Sequence, residues 1–282
     1  MLSYSIELIL ITNTCETVFH KIAPLPKEFD PLSHTAELIR DLIPNNLFAS
    51  IKSIGTAFPG KIEKNENYIK NSLVFPDFID RSFSEELKLT LNMKNIKTFM
   101  RSYSDSEFIY HKYIKKQIEN SMIIFLKQGI TAKLHLYTWQ KALDWDNLGH
   151  FQTDGKTACP CGNLGCLETL SGDIACSKKF AGKLSFEKEY INAFFQALDS
   201  KNTEAEKIFI TSLELILKTV DVANTFRKIP KKIIFSSNIS KKSDFILKNK
   251  TYSFFKKAKI HCPKIILSEK NSTVKGAAFA NT

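Results

Sequence analysis

Leu148-Gly-His-Phe-Gln-Thr-Asp-Gly-Lys-Thr-Ala-Cys-Pro-Cys-Gly-Asn-Leu-Gly-Cys-Leu-Glu168 brings His150, Cys159, Cys161 and Cys166 into one short stretch of chain. Structural zinc takes four N or S ligands in a closed tetrahedron, and this stretch supplies one imidazole and three thiols. Gly162 and Gly165 lie between the last two thiols and can take positive φ, which lets the backbone fold a tight knuckle. Pro160 stiffens the pair on either side of it. Three thiolates and a neutral imidazole leave zinc with a net charge of about −1 and no open position, which argues against a hydrolytic centre. Cysteines also occur as small core residues or as disulfide partners. Clustered thiols with glycines and an upstream histidine favour the metal. Cys15, Cys176 and Cys262 are dispersed and read as reduced packing residues.

Moving outward, 282 residues suit about two domains, and 43% hydrophobic content is enough for sizeable cores. The N-terminus lacks a basic n-region with a cleavage site, and the apolar run Leu8 to Ile11 is too short to span a bilayer, so a cytoplasmic protein with no membrane association is expected. The net charge of +11 raises the question of nucleic acid. Only Arg40, Arg81, Arg101 and Arg227 are arginines, so lysine supplies nearly all of the 40 basic residues. A groove reader favours arginine for bidentate contacts, and the lysine-rich runs read as solvated helix faces. No helix-turn-helix segment precedes the first strand, which disfavours direct DNA binding.

Periodicity predicts a strand hairpin over Ser5–Thr12 and Thr17–Ile22, a helix over Leu32–Ile43 and a strand over Ile51–Phe58 that ends in Pro59-Gly60. A short hairpin over Ile62–Asn71, a helix over Arg81–Leu91, a strand over Ile96–Met100 and a helix over Asp105–Asn120 follow. The second half restarts with strands at Met122–Leu126 and Ala132–Tyr137, then a long loop that holds the knuckle. Helices are expected over Leu170–Phe180, Phe186–Leu198, Thr203–Phe226 and Phe245–Ala258, with strands at Lys232–Ser236 and Lys264–Leu267 and a closing helix over Thr273–Ala280. This repeated order predicts two α/β domains around a central cleft, 1–120 joined by the closing helix within 273–282, and 121–272 with the knuckle.

The knuckle resembles the signature of the ROK family (repressors, open reading frames and sugar kinases): Gly-His, then Cys-x-Cys-Gly-x-x-Gly-Cys-Leu-Glu. Ile54-Gly-Thr-Ala-Phe-Pro-Gly60 is similar to the family's strand ending in Pro-Gly, with Asn71-Ser-Leu73 where its sugar-facing loop lies. Gly276-Ala-Ala278 is similar to its closing Gly-Ala-Ala helix. The resemblance implies the actin-like ATPase fold of paired RNase H-like domains, a structural zinc, a sugar ligand and a homodimer.

Against that family the chemical motifs are altered. The phosphate loop Asp-x-Gly-Gly-Thr falls at Met1-Leu-Ser-Tyr-Ser5, so the first strand is largely missing and its chemical residues are replaced. The second, Gly-x-Gly-x-Gly, falls at Lys127-Gln-Gly129-Ile-Thr131 and keeps one glycine; Lys127 could add a compensating charge. The base segment Glu-Asn-Asp-Ala-Asn falls at Arg101-Ser-Tyr-Ser-Asp105, with Tyr103 at the base position. A phenol with a pKa near 10 does not accept a proton at neutral pH. Asp105 is expected to cap the following helix. The adenosine-side Gly-Gly-Gly becomes Ser236-Ser237-Asn238. Of the residues that face the sugar, Ser102 and Asn147 are candidates, His150 can reach it through its edge or free nitrogen, and Glu168 either touches the sugar or braces the knuckle. These readings make ATP and Mg²⁺ unexpected. They favour a zinc-containing, catalytically inactive relative that acts in sugar sensing or regulation through a partner chain. A sugar kinase with an atypical site and a structural or interaction protein are the alternatives.

Overall fold

The structure is a computed structural model that describes residues 5–12, 14–24, 30–63, 67–72, 75–127, 129–135, 143–145, 148–153, 155–182, 188–223, 230–259, 261–269 and 271–279. Ser5–Ile11 (β1) and Thr17–Pro24 (β2) pair antiparallel, with Ile6 opposite Ala23 and Leu10 opposite Phe19. Their β-branched and apolar residues suit an extended chain. Cys15 takes φ +66° in the connecting turn, and its N–H donates to the Thr12 carbonyl at 2.9 Å. Pro31–Leu42 (α1) begins at Asp30, whose carboxylate accepts from the Ser33 N–H at 2.8 Å. A single turn, Asn45–Phe48 (α2), leads into Ser53–Phe58 (β3). Lys61–Glu63 (β4) and Tyr68–Asn71 (β5) form a small hairpin, and Phe83–Thr90 (α3) starts at a Ser82 cap. Lys97–Ser102 (β6) then pairs parallel with β3, Ser53 opposite Lys97 and Phe58 opposite Ser102. Ile39, Phe58, Phe78, Phe83, Leu87 and Met100 fill the core beneath them.

The next helix departs from the sequence expectation of Asp105–Asn120. It starts two residues earlier, as Tyr103–Ile109 (α4), and widens into a π-helical turn at Tyr110–Ile114. Such turns arise where local packing overrides the regular ladder; here Tyr110 and His111 are both 1% exposed. Lys116 and Asn120 then take positive φ, at 51° and 50°, and turn the chain out of the helix.

The second group of elements opens on Ser121–Leu126 (β7), every residue of which is buried. Ile130–His135 (β8) and Leu143–Trp145 (β9) follow antiparallel. β9 falls inside what the sequence reads as loop, and three residues are too few for a periodicity to show. Leu167–Ser171 (α5) and Asp173–Ala181 (α6) replace the single helix expected over Leu170–Phe180, because Gly172 is extended at φ −70°, ψ 164°. Gly182 ends α6 in the left-handed conformation. Lys188–Asp199 (α7), Thr203–Ala223 (α8), Lys232–Ser237 (β10), Asp244–Lys257 (α9) and Lys264–Leu267 (β11) complete this region. Its sheet order is β11-β10-β7-β8-β9, with β11, β10 and β7 parallel. Ile124, Leu134, Leu167, Phe194, Leu213 and Phe235 are among its core residues.

The chain closes on Ser272–Ala278 (α10), which returns to pack on β1, β3 and α4. Two compact units result, one within 3–117 and 271–282, the other within 118–270. In the first, Arg101 at the end of β6 donates to the carbonyls of Gly276, Ala277 and Phe279 at 3.3, 3.1 and 3.0 Å. A cation on the last carbonyls of a helix satisfies orphan acceptors and complements its dipole. The guanidinium also lies 4.4 Å from the Phe99 ring centroid. Among the described residues, no helix is long and apolar enough to cross a membrane.

Candidate functional site

The knuckle is built by backbone pairing on either side of its thiols. Gln152 bridges Cys166 and Ala158 bridges Leu164. The Thr153 N–H donates to the Gly165 carbonyl and the Gly165 N–H to that of Thr157, both at 2.7 Å. The Cys159 N–H reaches Asn163 at 2.9 Å, and the Gly162 N–H returns to Cys159 at 3.0 Å. Gly162 and Gly165 take φ +92° and +68°, the conformation the sequence asked of them. His150 enters from a 3₁₀ turn at Leu148–His150, and Cys166 stands at the start of α5.

This folding gathers His150, Cys159, Cys161 and Cys166 so that their ligand atoms all lie within 4.8 Å of one another. Cys161 Sγ is 3.7 Å from Cys166 Sγ, and Cys159 Sγ is 3.6 Å from His150 Nδ1. Zinc–sulfur bonds of about 2.3 Å imply tetrahedral edges of about 3.8 Å, so the donor set fits that ion in both chemistry and span. Burial pushes the Cys159 thiol up and the Cys166 thiol up to about 12, whereas the Asn163 backbone N–H lowers Cys161. Thiols this close do not all ionise unless a cation balances them. The six cysteines are all free of disulfides.

Glu168 projects from the first turn of α5 onto the neighbouring turns. A Cβ at Gly149 would lie 2.6 Å from its Oε2, and one at Gly129 would lie 3.5 Å from the same atom. Both glycines therefore give room to this carboxylate. Burial raises its pKa, while the nearby His150 and a bond from the Ile130 N–H oppose the rise. The carboxylate thus braces the turn between β7 and β8 as well as the knuckle. Asn147 lies outside the described residues.

At the base position, Tyr103 is the first residue of α4 and 41% exposed. Desolvation and then the Glu7 charge push its phenol up to about 12. With that much of the residue in solvent, the ordinary value near 10 already keeps the proton on at neutral pH. Asp105 is not the helix cap that the sequence reading made it: Ser102 is. The Ser102 hydroxyl accepts from the Asp105 N–H at 3.1 Å and donates to its Oδ2 at 2.8 Å, a reciprocal cap. The cap falls on Ser102 because the helix begins at Tyr103, which places Asp105 at its third position.

Lys127 and Gly129 close the β7–β8 turn, where the Lys127 N–H donates to the Gly129 carbonyl at 3.3 Å. Gln128 lies outside the described residues. Ser236 is buried at the end of β10, and Ser237 accepts from the Ile239 N–H at 3.2 Å. Asn238 Nδ2 donates to Asp173 Oδ2 at 2.6 Å. Asp173, which the sequence reading passed over, is the first residue of α6 and only 6% exposed. Burial pushes its pKa up to about 8, partly offset by the Asn238 bond and by the charge of Lys127. The available signal was an acid placed straight after Gly172 at a helix start.

That shift has a measurable sign. An unfolded Asp titrates near 3.9, so between about pH 4 and 8 the fold holds a proton that the unfolded chain releases. Stability falls across that window by at most ~1.4 kcal/mol per pH unit and levels above it. Asp173→Asn keeps an acceptor for Asn238 and removes this slope. Thermal melts should show the variant equal to wild type near about pH 4 and more stable near about pH 8.

A central strand with an antiparallel hairpin on one side and parallel strands on the other is the sheet of an RNase H-like domain, and solved structures place the whole chain in the same class. A ROK hexokinase from Thermus thermophilus is 17% identical, with 97% of this chain and 93% of that one covered and a TM-score of 0.66. A ROK family glucokinase from Streptomyces griseus in complex with glucose and AMPPNP is 11% identical over 97% and 95%, with a TM-score of 0.75. A ROK transcriptional regulator, a homolog of the E. coli MLC protein, is 18% identical over 97% and 74%, with a TM-score of 0.71. A search of the curated proteins by sequence finds no match. The fold is that of the actin-like ATPases. The ROK family model matches residues 5–280, and the chain belongs to that family.

Proposed function

We propose that this chain is a zinc-stabilised, sugar-binding ROK protein that has given up phosphoryl transfer and acts in sugar sensing or regulation. The observation that carries the reading is the base position, where Tyr103 is a protonated phenol and Asp105 is bonded into the cap of α4. General-base catalysis needs a group that is unprotonated near the working pH and free to reach the attacking hydroxyl.

The phosphate side supports the same reading. Asp173 stands at the N-terminal end of α6, the kind of place where an anion finds backbone N–H groups and a favourable dipole. Its carboxyl is bonded to Asn238 and sensed by Lys127, so the turn residues after β7 and β10 face an acid. The Asp173 side chain, held by Asn238, occupies this helix start, so a phosphate binding there would have to displace it, and no step is assigned to adenosine phosphates or Mg²⁺.

Zinc, held by His150 Nδ1 and the three thiolates, would act as a cross-link that sets the position of α5. Full coordination leaves it no Lewis-acid role. The other nitrogen of His150 then remains for a sugar hydroxyl, with Glu168 as the second contact. The glucose in the Streptomyces griseus glucokinase structure and the regulator among the similar folds support a sugar ligand and a signalling output. That output runs through a protein partner, with a homodimer as the assembled form.

Titration calorimetry against hexoses and N-acetylhexosamines tests this. At least one sugar should bind with a Kd of about 1 mM or tighter, within the usual range for such ligands. His150→Ala should abolish that heat. Silence across the panel would leave a purely structural or interaction protein.

A further inference from the structure

Charge is unevenly spread along the chain. Lys231 to Lys264, which runs from the start of β10 through α9 to the start of β11, holds ten lysines and one acid, Asp244. It therefore carries +9 of the net charge of +11 and leaves the rest of the chain close to neutral. A general preference for lysine over arginine would enrich the whole chain and leave the acids in place; here they are nearly absent.

Topology brings these lysines together in the second unit. α9 joins two neighbouring parallel strands, so it runs back along them and its last turn stands at the end of the sheet where both begin. Phe254 and Phe255 of α9 accordingly line one cavity with Pro230 and Ile233. Lys256, Lys257 and Lys259 thus come to the same end as Lys231, Lys232 and Lys264, the last two of which lie opposite each other across the ladder. Lys231, Lys256, Lys257, Lys259 and Lys264 are exposed and have no ion-pair partner among the described residues. Glu119 and Asp221 also stand at this end and offset two of these charges at most. The outer face of α9 adds two rings. Ile246, Leu247 and Thr251 are buried, so positions 245, 248, 249, 252 and 256 share the opposite face. Phe245 and Tyr252 are 42% and 45% exposed, about 10 Å apart along the axis. Lys248 lies between them, paired with Asp244 at 2.6 Å, and Lys256 stands one turn beyond.

We propose that this face of α9, with the lysines at the start of β10 and β11, binds single-stranded RNA without sequence preference. Such binding uses bases stacked on aromatic side chains and phosphates held on a positive surface, and this face offers both. Phosphates accept lysine as well as arginine; it is base reading that favours arginine, and the stretch has none. An acidic polypeptide would use the ammonium groups and leave the rings in water. A membrane-surface helix would turn its apolar side chains outward, whereas α9 turns Ile246 and Leu247 inward. A second copy of this chain would bring like charge against like. RNA is the source because its loops and ends present unstacked bases, which a DNA duplex does not.

Fluorescence anisotropy with the full chain and a labelled mixed-sequence RNA of about 12 nucleotides tests the proposal. A Kd of about 10 μM or tighter is expected at about 50 mM salt, weakening by about tenfold or more at about 200 mM. Phe245→Ala with Tyr252→Ala should weaken binding about tenfold and keep the salt dependence, since each ring stacks a base. Lys256→Glu with Lys259→Glu should weaken it and flatten the salt dependence. All four positions are exposed, so both variants should melt with wild type. No binding at the lower salt, or a ring variant that binds like wild type, would overturn the proposal. Polyglutamate or phosphatidylserine vesicles that displace the RNA at equal charge would overturn it too, and assign the face to an acidic protein or to a lipid surface. RNA and single-stranded DNA share this chemistry, and ultraviolet cross-linking in the expressing cell separates them. Ribonuclease should remove the material linked to wild type; removal by deoxyribonuclease alone would overturn RNA as the source.

Discussion

Replacing Gly276 by valine is expected to unfold the first unit. A Cβ at this position would lie 1.7 Å from the carbonyl oxygen of Ser106, 2.6 Å from its carbon and 3.1 Å from the Tyr110 nitrogen. All three are backbone atoms of α4 and its π turn, so no rotamer change relieves the overlap. The opposite side of α10 is equally close, since a Cβ at Gly55 of β3 would lie 1.8 Å from the Ala277 carbonyl oxygen. Helix and strand therefore meet backbone to backbone, which only glycine permits. Separating them opens the contact that Arg101 fastens with its three carbonyl bonds. It also exposes Glu107, fully buried and bonded to Ser272 and Thr273 at 2.7 Å each. A cost above about 4 kcal/mol follows, a large part of a typical folding free energy. Hydrogen exchange should then show β3, β6 and α4 unprotected while β7 of the second unit, which has its own core, keeps its protection. A variant that melts within about 2 °C of wild type would contradict the close approach.

The second large effect is loss of the metal. Freshly purified reduced protein should carry about one zinc per chain, and a strong chelator or Cys166→Ser should remove it. Cys166 is fully buried at the start of α5, next to Leu167, which is fully buried too. When the cross-link goes, this helix loses its anchor and Glu168 its position against Gly129 and Gly149. The second unit retains its five-stranded sheet, so the loss is local and costs about 3 kcal/mol, or a drop of about 10 °C in Tm. Cys161→Ser, at the exposed thiol, should move the same way by less. Less than about half an equivalent of zinc, or an unchanged melt, would count against a structural metal.

Much of this was legible in the sequence because it depends on neighbours in the chain. The four candidate ligands fall in one loop, so their spacing alone points to a group that could hold a metal ion. β1, β2 and β7 show as apolar or alternating runs. What the sequence hid depends on contacts between distant segments. Asp173 matters because Asn238 and Lys127 meet it, and neither lies near it in the chain. Arg101, read only as a lost family glutamate, turns out to hold the end of α10. The π turn at Tyr110 follows from packing around His111, which no local propensity encodes.

The most direct test of the central claim is a coupled ATPase and sugar-phosphorylation assay with Mg²⁺ and a panel of hexoses and N-acetylhexosamines. The reading from Tyr103 and Asp173 predicts no sugar-dependent ADP formation above background. Turnover above about 1 s⁻¹ with any of these sugars, the low end for typical enzymes, would contradict it.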